Sequence, residues 1–172
     1  APTSTYVGGL IGQSGGIDIN DVYANGSVTG RQYVGGLVGN FYAGTLSNAY
    51  ATGPVTGTND SIGGLIGVMG AVGNVATATT LSNVYSTGNV NAVVDAAADG
   101  AAPSGVLHSN IGGLIGKMRG SRSGSVTQVS NAFATGQVNA TTPFNFVGGL
   151  IGFVGDYGQL SVNNVFATGN VG

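Results

Sequence analysis

Six residues in this chain have side chains suited to chemistry and stand close together in sequence. Asp95, Asp99 and the only histidine, His108, fall within the segment "NAVVDAAADGAAPSGVLHSN". Lys117, Arg119 and Arg122 follow in "KMRGSRSGSVTQ", so three of the four basic residues lie within six positions. Two carboxylates and an imidazole could form an acid–base pair or a metal site. General acid–base catalysis, however, needs two groups converging on one bond. A lone His with scattered Asp is more often a solubilising feature of an Ala-rich loop. The three cations could meet a sulfated or sialylated glycan, or stand simply as a solvated surface run. No catalytic, cofactor-binding or metal-binding residue is therefore assigned, and Lys117, Arg119 and Arg122 are kept as a candidate ligand loop.

What must position these residues is a repeat. The phrase VGGLIG starts at Val7 and returns as VGGLVG at Val34, IGGLIG at Ile62 and Ile111, and VGGLIG at Val147. A second phrase follows each copy: NDVYANGSV from Asn20, SNAYATGPV from Ser47, SNVYSTGNV from Ser82, SNAFATGQV from Ser130 and NNVFATGNV from Asn163. Aligned, the copies give columns. One is aliphatic: Leu10, Leu37, Leu65, Leu114 and Leu150. One is aromatic: Tyr23, Tyr50, Tyr85, Phe133 and Phe166. One is polar: Asp21, Asn48, Asn83, Asn131 and Asn164. Thr52, Thr87, Thr135 and Thr168 form another, with Asn25 in the first copy. Five matched copies are a repeat architecture.

Val, Ile, Tyr, Phe and Thr favour strands, and frequent Gly and Asn punctuate turns. Glycine breaks every run that a helical solenoid would need. The shortest spacing, 27 residues from Val7 to Val34, is too short for a propeller blade of about 40–50 residues. It suits one coil of a β-solenoid with two or three short strands. The expected fold is all-β, a parallel β-solenoid (β-helix) of about five coils, with longer loops in the third and fourth units. One domain would span 1–172, with units starting near 7, 34, 62, 111 and 147. Five strand spacings give a rise of about 24 Å.

Stacked coils would turn each column into a ladder. The leucines would be buried. The rings would stack, and the Asn amides would either ladder or hold a corner. The paired glycines, Gly8-Gly9 and their copies, suit a bend where no side chain fits. Alternation places Asn, the ring and Thr on one side of the strand and small residues on the other. Small and aliphatic residues are expected inside, with the rings at least partly covered.

The alternation GGL[IV]G … [SN]N[AV][YF][AS]TG resembles the GLUG repeat of large secreted bacterial surface proteins, including filamentous-haemagglutinin-like adhesins and IgA-protease-type proteins. The resemblance covers nearly the whole chain apart from the inserts. The first unit departs from it with Asp21 for Asn and Asn25 for Thr. What it implies is an extracellular, bacterial stalk or solenoid segment. No catalytic residue comes with the motif.

Composition fits this picture. The chain has 172 residues, with 34 Gly, 6% charged residues and no Cys. No disulfide, thiolate metal site or Cys nucleophile can form. A net charge of −2 gives no electrostatic reason to bind nucleic acid. No apolar run reaches the 18 residues of a spanning helix. GxxxxGK[ST] is absent, GxGxxG does not occur as a proper fingerprint, and the calcium-turn GGxGxD is missing, so no nucleotide, calcium or other cofactor is expected. The start at Ala1-Pro2-Thr3 fits a processed or excised chain. The end at Val171-Gly172 breaks off within a phrase. Both features suggest either a fragment of a longer array or subunits that stack head to tail.

The function expected is therefore a non-enzymatic extracellular structural or adhesive solenoid, a stalk or filament subunit. Its partners would be its own copies through the coil ends, and a host surface or glycan. Two alternatives stand beside it: a carbohydrate-binding or carbohydrate-cleaving solenoid, and an ice-binding protein using the Thr ladder.

Overall fold

A computed structural model describes residues 4–70, 77–93, 109–120, 124–141, 146–155 and 158–172. The described residues form four parallel sheets and no helix. Sheet A contains Thr5–Gly8, Gln32–Gly35, Ile62–Gly63, Asn110–Gly112 and Phe146–Gly148. Sheet B contains Ile11–Ser14, Val38–Phe41, Ile66–Met69, Ile115–Arg119 and Ile151–Gly155. Sheet C has the longest strands: Ile19–Ala24, Gly44–Ala51, Thr79–Ser86, Val126–Ala134 and Gln159–Ala167. Sheet D contains Val28–Gly30, Val55–Gly57, Val90–Ala92 and Val138–Ala140, and Val171 adds a single bridge to Val138.

Each coil passes through A, B, C and D in turn and then climbs to the next. The fold is a parallel β-solenoid of about five coils. A coil contains four short strands rather than two or three. The GGL[IV]G phrase is the reason, because it holds a chain reversal and supplies strands on both sides of it. The longer loops expected in the third and fourth units lie largely outside the described residues, and the strands that flank them stay in register. Thr79–Ser86 pairs in register with Gly44–Ala51 on one side and Val126–Ala134 on the other.

Two cores run along the axis. The larger contains Leu37, Leu65 and Leu114, then Val38, Ile66 and Ile115, then Phe41, Met69 and Met118, facing Leu46, Leu81 and Val129 of sheet C. The smaller contains Val34, Ile62 and Ile111 of sheet A against Val55, Val90 and Val138 of sheet D. Glycine separates them. Gly67 in sheet B lies so close to sheet A that a Cβ there would meet the Tyr33 carbonyl carbon at 2.6 Å and the Val34 nitrogen at 2.7 Å. Backbone meets backbone, and no side chain larger than hydrogen fits between the sheets.

Candidate functional site

The three ladders define the long outer face. In sheet C, Asp21, Asn48, Asn83, Asn131 and Asn164 all take φ between 50° and 56°. Asn and Asp are the side chains that tolerate this left-handed region best after Gly. The residue at this position drops out of the backbone register, which passes from Ser82↔Ser47 to Val84↔Ala49. Its amide is thereby turned outward along the axis. Asn48 Nδ2 donates to Asp21 Oδ1 at 3.1 Å, Asn83 to Asn48 at 3.2 Å, Asn131 to Asn83 at 3.1 Å and Asn164 to Asn131 at 2.6 Å. Asp21 only accepts, which is all that its place in the series requires.

Beside this ladder the rings stack. Tyr23–Tyr50, Tyr50–Tyr85, Tyr85–Phe133 and Phe133–Phe166 have centroids 5.2, 4.8, 4.9 and 5.1 Å apart, with interplanar angles of 8° or less. Their spacing is the strand spacing itself. The small residues Ala49, Val84 and Ala132 point inward and are buried. The rings of the middle coils are half-covered, whereas Tyr23 and Phe166 are exposed. Thr52, Thr87, Thr135 and Thr168 are also exposed.

Leu37, Leu65 and Leu114 are fully buried, but Leu10 is 50% exposed and Leu150 is half-buried. The leucine column is thus buried only in its middle. Leu10 and Leu150 belong to the outermost described coils, each with a neighbouring coil on one side only.

Lys117 and Arg119 do not lie in a protruding loop. Both are in the sheet B strand Ile115–Arg119, flanking Met118, which points into the core. The Lys117 ammonium sits 5.0 Å from the Phe153 ring centroid in the next coil, a cation–π contact. Arg119 instead reaches towards the start of sheet A. Arg122, Asp95, Asp99 and His108 lie outside the described residues. Among the described residues, no three His, Cys, Asp or Glu side chains gather in one place.

Arg119 helps to line a cavity that the motifs did not reveal. Its other walls are Tyr6, Tyr33, Asn40 and Val68, and its volume is about 210 Å³. Tyr6 and Tyr33 stack with centroids 5.2 Å apart and an interplanar angle of 24°. Both have positive φ, 56° and 53°. For a bulky aromatic residue this conformation stores strain of about 1–3 kcal/mol. The Arg119 guanidinium shares the cavity wall with the Tyr33 phenol. Burial pushes that phenol above its ordinary value, the nearby Asp60 carboxylate adds to the shift, and Arg119 opposes it. Asp60 is held in turn by Ser61 Oγ at 2.7 Å and by Asn110 Nδ2 at 2.7 Å. Asn40 is only 7% exposed, and its Oδ1 is buried without a hydrogen-bond partner among the described residues. Leaving such an acceptor unsatisfied costs about 1–3 kcal/mol. The sequence signal for this site was slight: Tyr6 and Tyr33 precede the first two VGGL phrases, and later units place Ser61, Asn110 and Phe146 there.

Fold and ladders together define a class, the parallel solenoid built from glycine-rich rungs. A family model described as "The GLUG motif" matches residues 3–29 and 30–56. The first two coils thus match the GLUG motif, and the same columns recur in the three later coils. It is also similar to "Halomucin" of Haloquadratum walsbyi (strain DSM 16790 / HBSQ001), with 40% identity over 91 residues. That match covers 53% of this chain but 1% of the relative's length. No solved structure matches the chain.

Proposed function

We propose that the chain is a non-enzymatic structural and adhesive segment of an extracellular or cell-surface protein, in which identical rungs stack into a stiff stalk. The observation that carries this reading is the continuity of the outer ladders. Both the aromatic stack and the amide chain run through all five coils without a break. Nearest-neighbour coupling of this kind gives a repeat array its rigidity. The GLUG match and the similarity to a protein named as a mucin support a place outside the cell. The resemblance implied a bacterial source; the relative is archaeal, so the reading extends to prokaryotic surfaces generally.

In this reading the partners are further coils of the same kind, meeting through open strand edges, and glycans on a neighbouring surface. Immunogold labelling of intact source cells with an antibody to the purified chain tests the location; surface label is expected, and label confined to the cell interior overturns it. Incubation with a polysaccharide panel tests the non-enzymatic part, and release of shorter glycans would defeat it. Electron microscopy of the chain at high concentration tests stacking. End-to-end rods are expected; isolated particles at every concentration count against assembly.

A further inference from the structure

We propose that the cavity formed by Tyr6, Tyr33, Asn40, Val68 and Arg119 is a binding site for one acidic sugar ring, a hexuronate unit of a glycan. This deepens the adhesive part of the reading above and rests on it. Four features converge. The volume of about 210 Å³ lies below the roughly 300–1,000 Å³ of pockets for drug-sized ligands and suits a single ring. Two stacked tyrosines offer an apolar, slightly polar-edged wall against which the C–H face of a pyranose packs. The Arg119 guanidinium, a planar fork of donors, matches a carboxylate better than any other side chain. The Asn40 carbonyl oxygen, buried and unpartnered among the described residues, needs a donor, and a sugar hydroxyl is one.

A repeated backbone position presents the two rings. Tyr6 and Tyr33 are the two aromatic residues among the non-glycine residues with positive φ. Ser61, at the same position of the third coil, shares the conformation with φ 56°, so the backbone is a feature of the repeat and the two rings are what the first two coils add to it. The site is also one that the repeat does not make five times. Gln13, Val68, Lys117 and Phe153 occupy the Asn40 position in the other coils. The combination of ring pair, carboxamide and guanidinium therefore occurs once among the described residues.

The test is a titration of the whole chain with glucuronate, followed by NMR of the Asn40 side-chain amide and by calorimetry. Glucose serves as the uncharged control. A ligand of this size is expected to bind with a dissociation constant of about 1 mM. Glucose should bind at least about tenfold more weakly, as loss of one charge-assisted contact implies. Tyr6→Asn keeps a side chain that accepts positive φ while removing the ring, and Asn40→Leu removes the acceptor. Both variants should abolish the Asn40-region response or weaken binding about tenfold or more, with the thermal melt confirming that each is folded. No response to glucuronate, equal binding of glucose, or undiminished binding by folded Tyr6→Asn and Asn40→Leu would each overturn the proposal. These failures leave the surface-labelling result untouched, so the two readings fall separately.

Discussion

Asn131 donates a 3.1 Å hydrogen bond to Asn83, 48 residues earlier in the chain, and both residues adopt a left-handed backbone. The two facts have one cause. Positive φ lifts this residue out of the strand ladder and aims its amide along the solenoid axis. There the same residue of the next coil waits one strand spacing away. The side chain that best tolerates the conformation is also one that can donate and accept at once.

Substitution at Asn83 separates the two roles. Asn83→Gly removes the amide but keeps the conformation, whereas Asn83→Ala removes the amide and strains the backbone. Asn83→Ala is expected to destabilise more than Asn83→Gly, by about 1 kcal/mol. Chemical denaturation of both variants checks the order, and equal losses would show that conformation is not the reason for Asn.

The glycine after each Thr has a steric reason. A Cβ at Gly88 would collide with the Gly53 carbonyl oxygen, and one at Gly136 with that of Gly88. Gly88→Ala should therefore cost about 1–3 kcal/mol or more, because the obstacle is backbone and cannot rotate away. Gly26→Ala is the control, since a Cβ there meets nothing within 4 Å. Melting temperatures should fall for Gly88→Ala and barely move for Gly26→Ala.

The leucine column should respond by position. Leu65→Ala, at a fully buried site, is expected to cost about 2–5 kcal/mol. Leu10→Ala, at 50% exposure, should cost well under half of that. Comparable losses at both positions, measured by denaturant unfolding, would mean that Leu10 is covered in solution. Leu114→Asp places a carboxylate in the same core and should abolish cooperative unfolding.

Tyr33 sets an alkaline limit. Its phenol titrates higher in the folded chain than in the unfolded one, chiefly because it is buried. The unfolded chain therefore loses this proton first. The stabilisation is fully present below the ordinary tyrosine value of about 10 and fades as pH rises through the folded value. Melting temperature should fall above about pH 10, and Tyr33→Phe should blunt the fall. Identical pH profiles for the two proteins would remove Tyr33 from this role.

The sequence by itself determined the rung. Five copies of GGL[IV]G and of Asn–small–aromatic–small–Thr–Gly require coils that stack in register, because only stacking brings equal residues together every 27 to 49 positions. Composition excluded disulfides for the same local reason: a residue type that is missing cannot act. Sequence could not count the strands in a coil. The reversal inside GGL[IV]G depends on how closely sheets A and B approach, and glycine permits many approaches. Nor could it say that Leu10 and Leu150 lie outside the buried stack, since burial depends on neighbours in other coils. Most of all, it grouped Arg119 with Lys117 and Arg122, its neighbours along the chain. Tertiary structure separated them. Strand alternation around Met118 turned both cations outward, and the climb of the solenoid carried Arg119 to Tyr33, 86 residues earlier in sequence and two coils away. Linear order records which residues repeat; only the stacked coils decide which unrepeated residues meet.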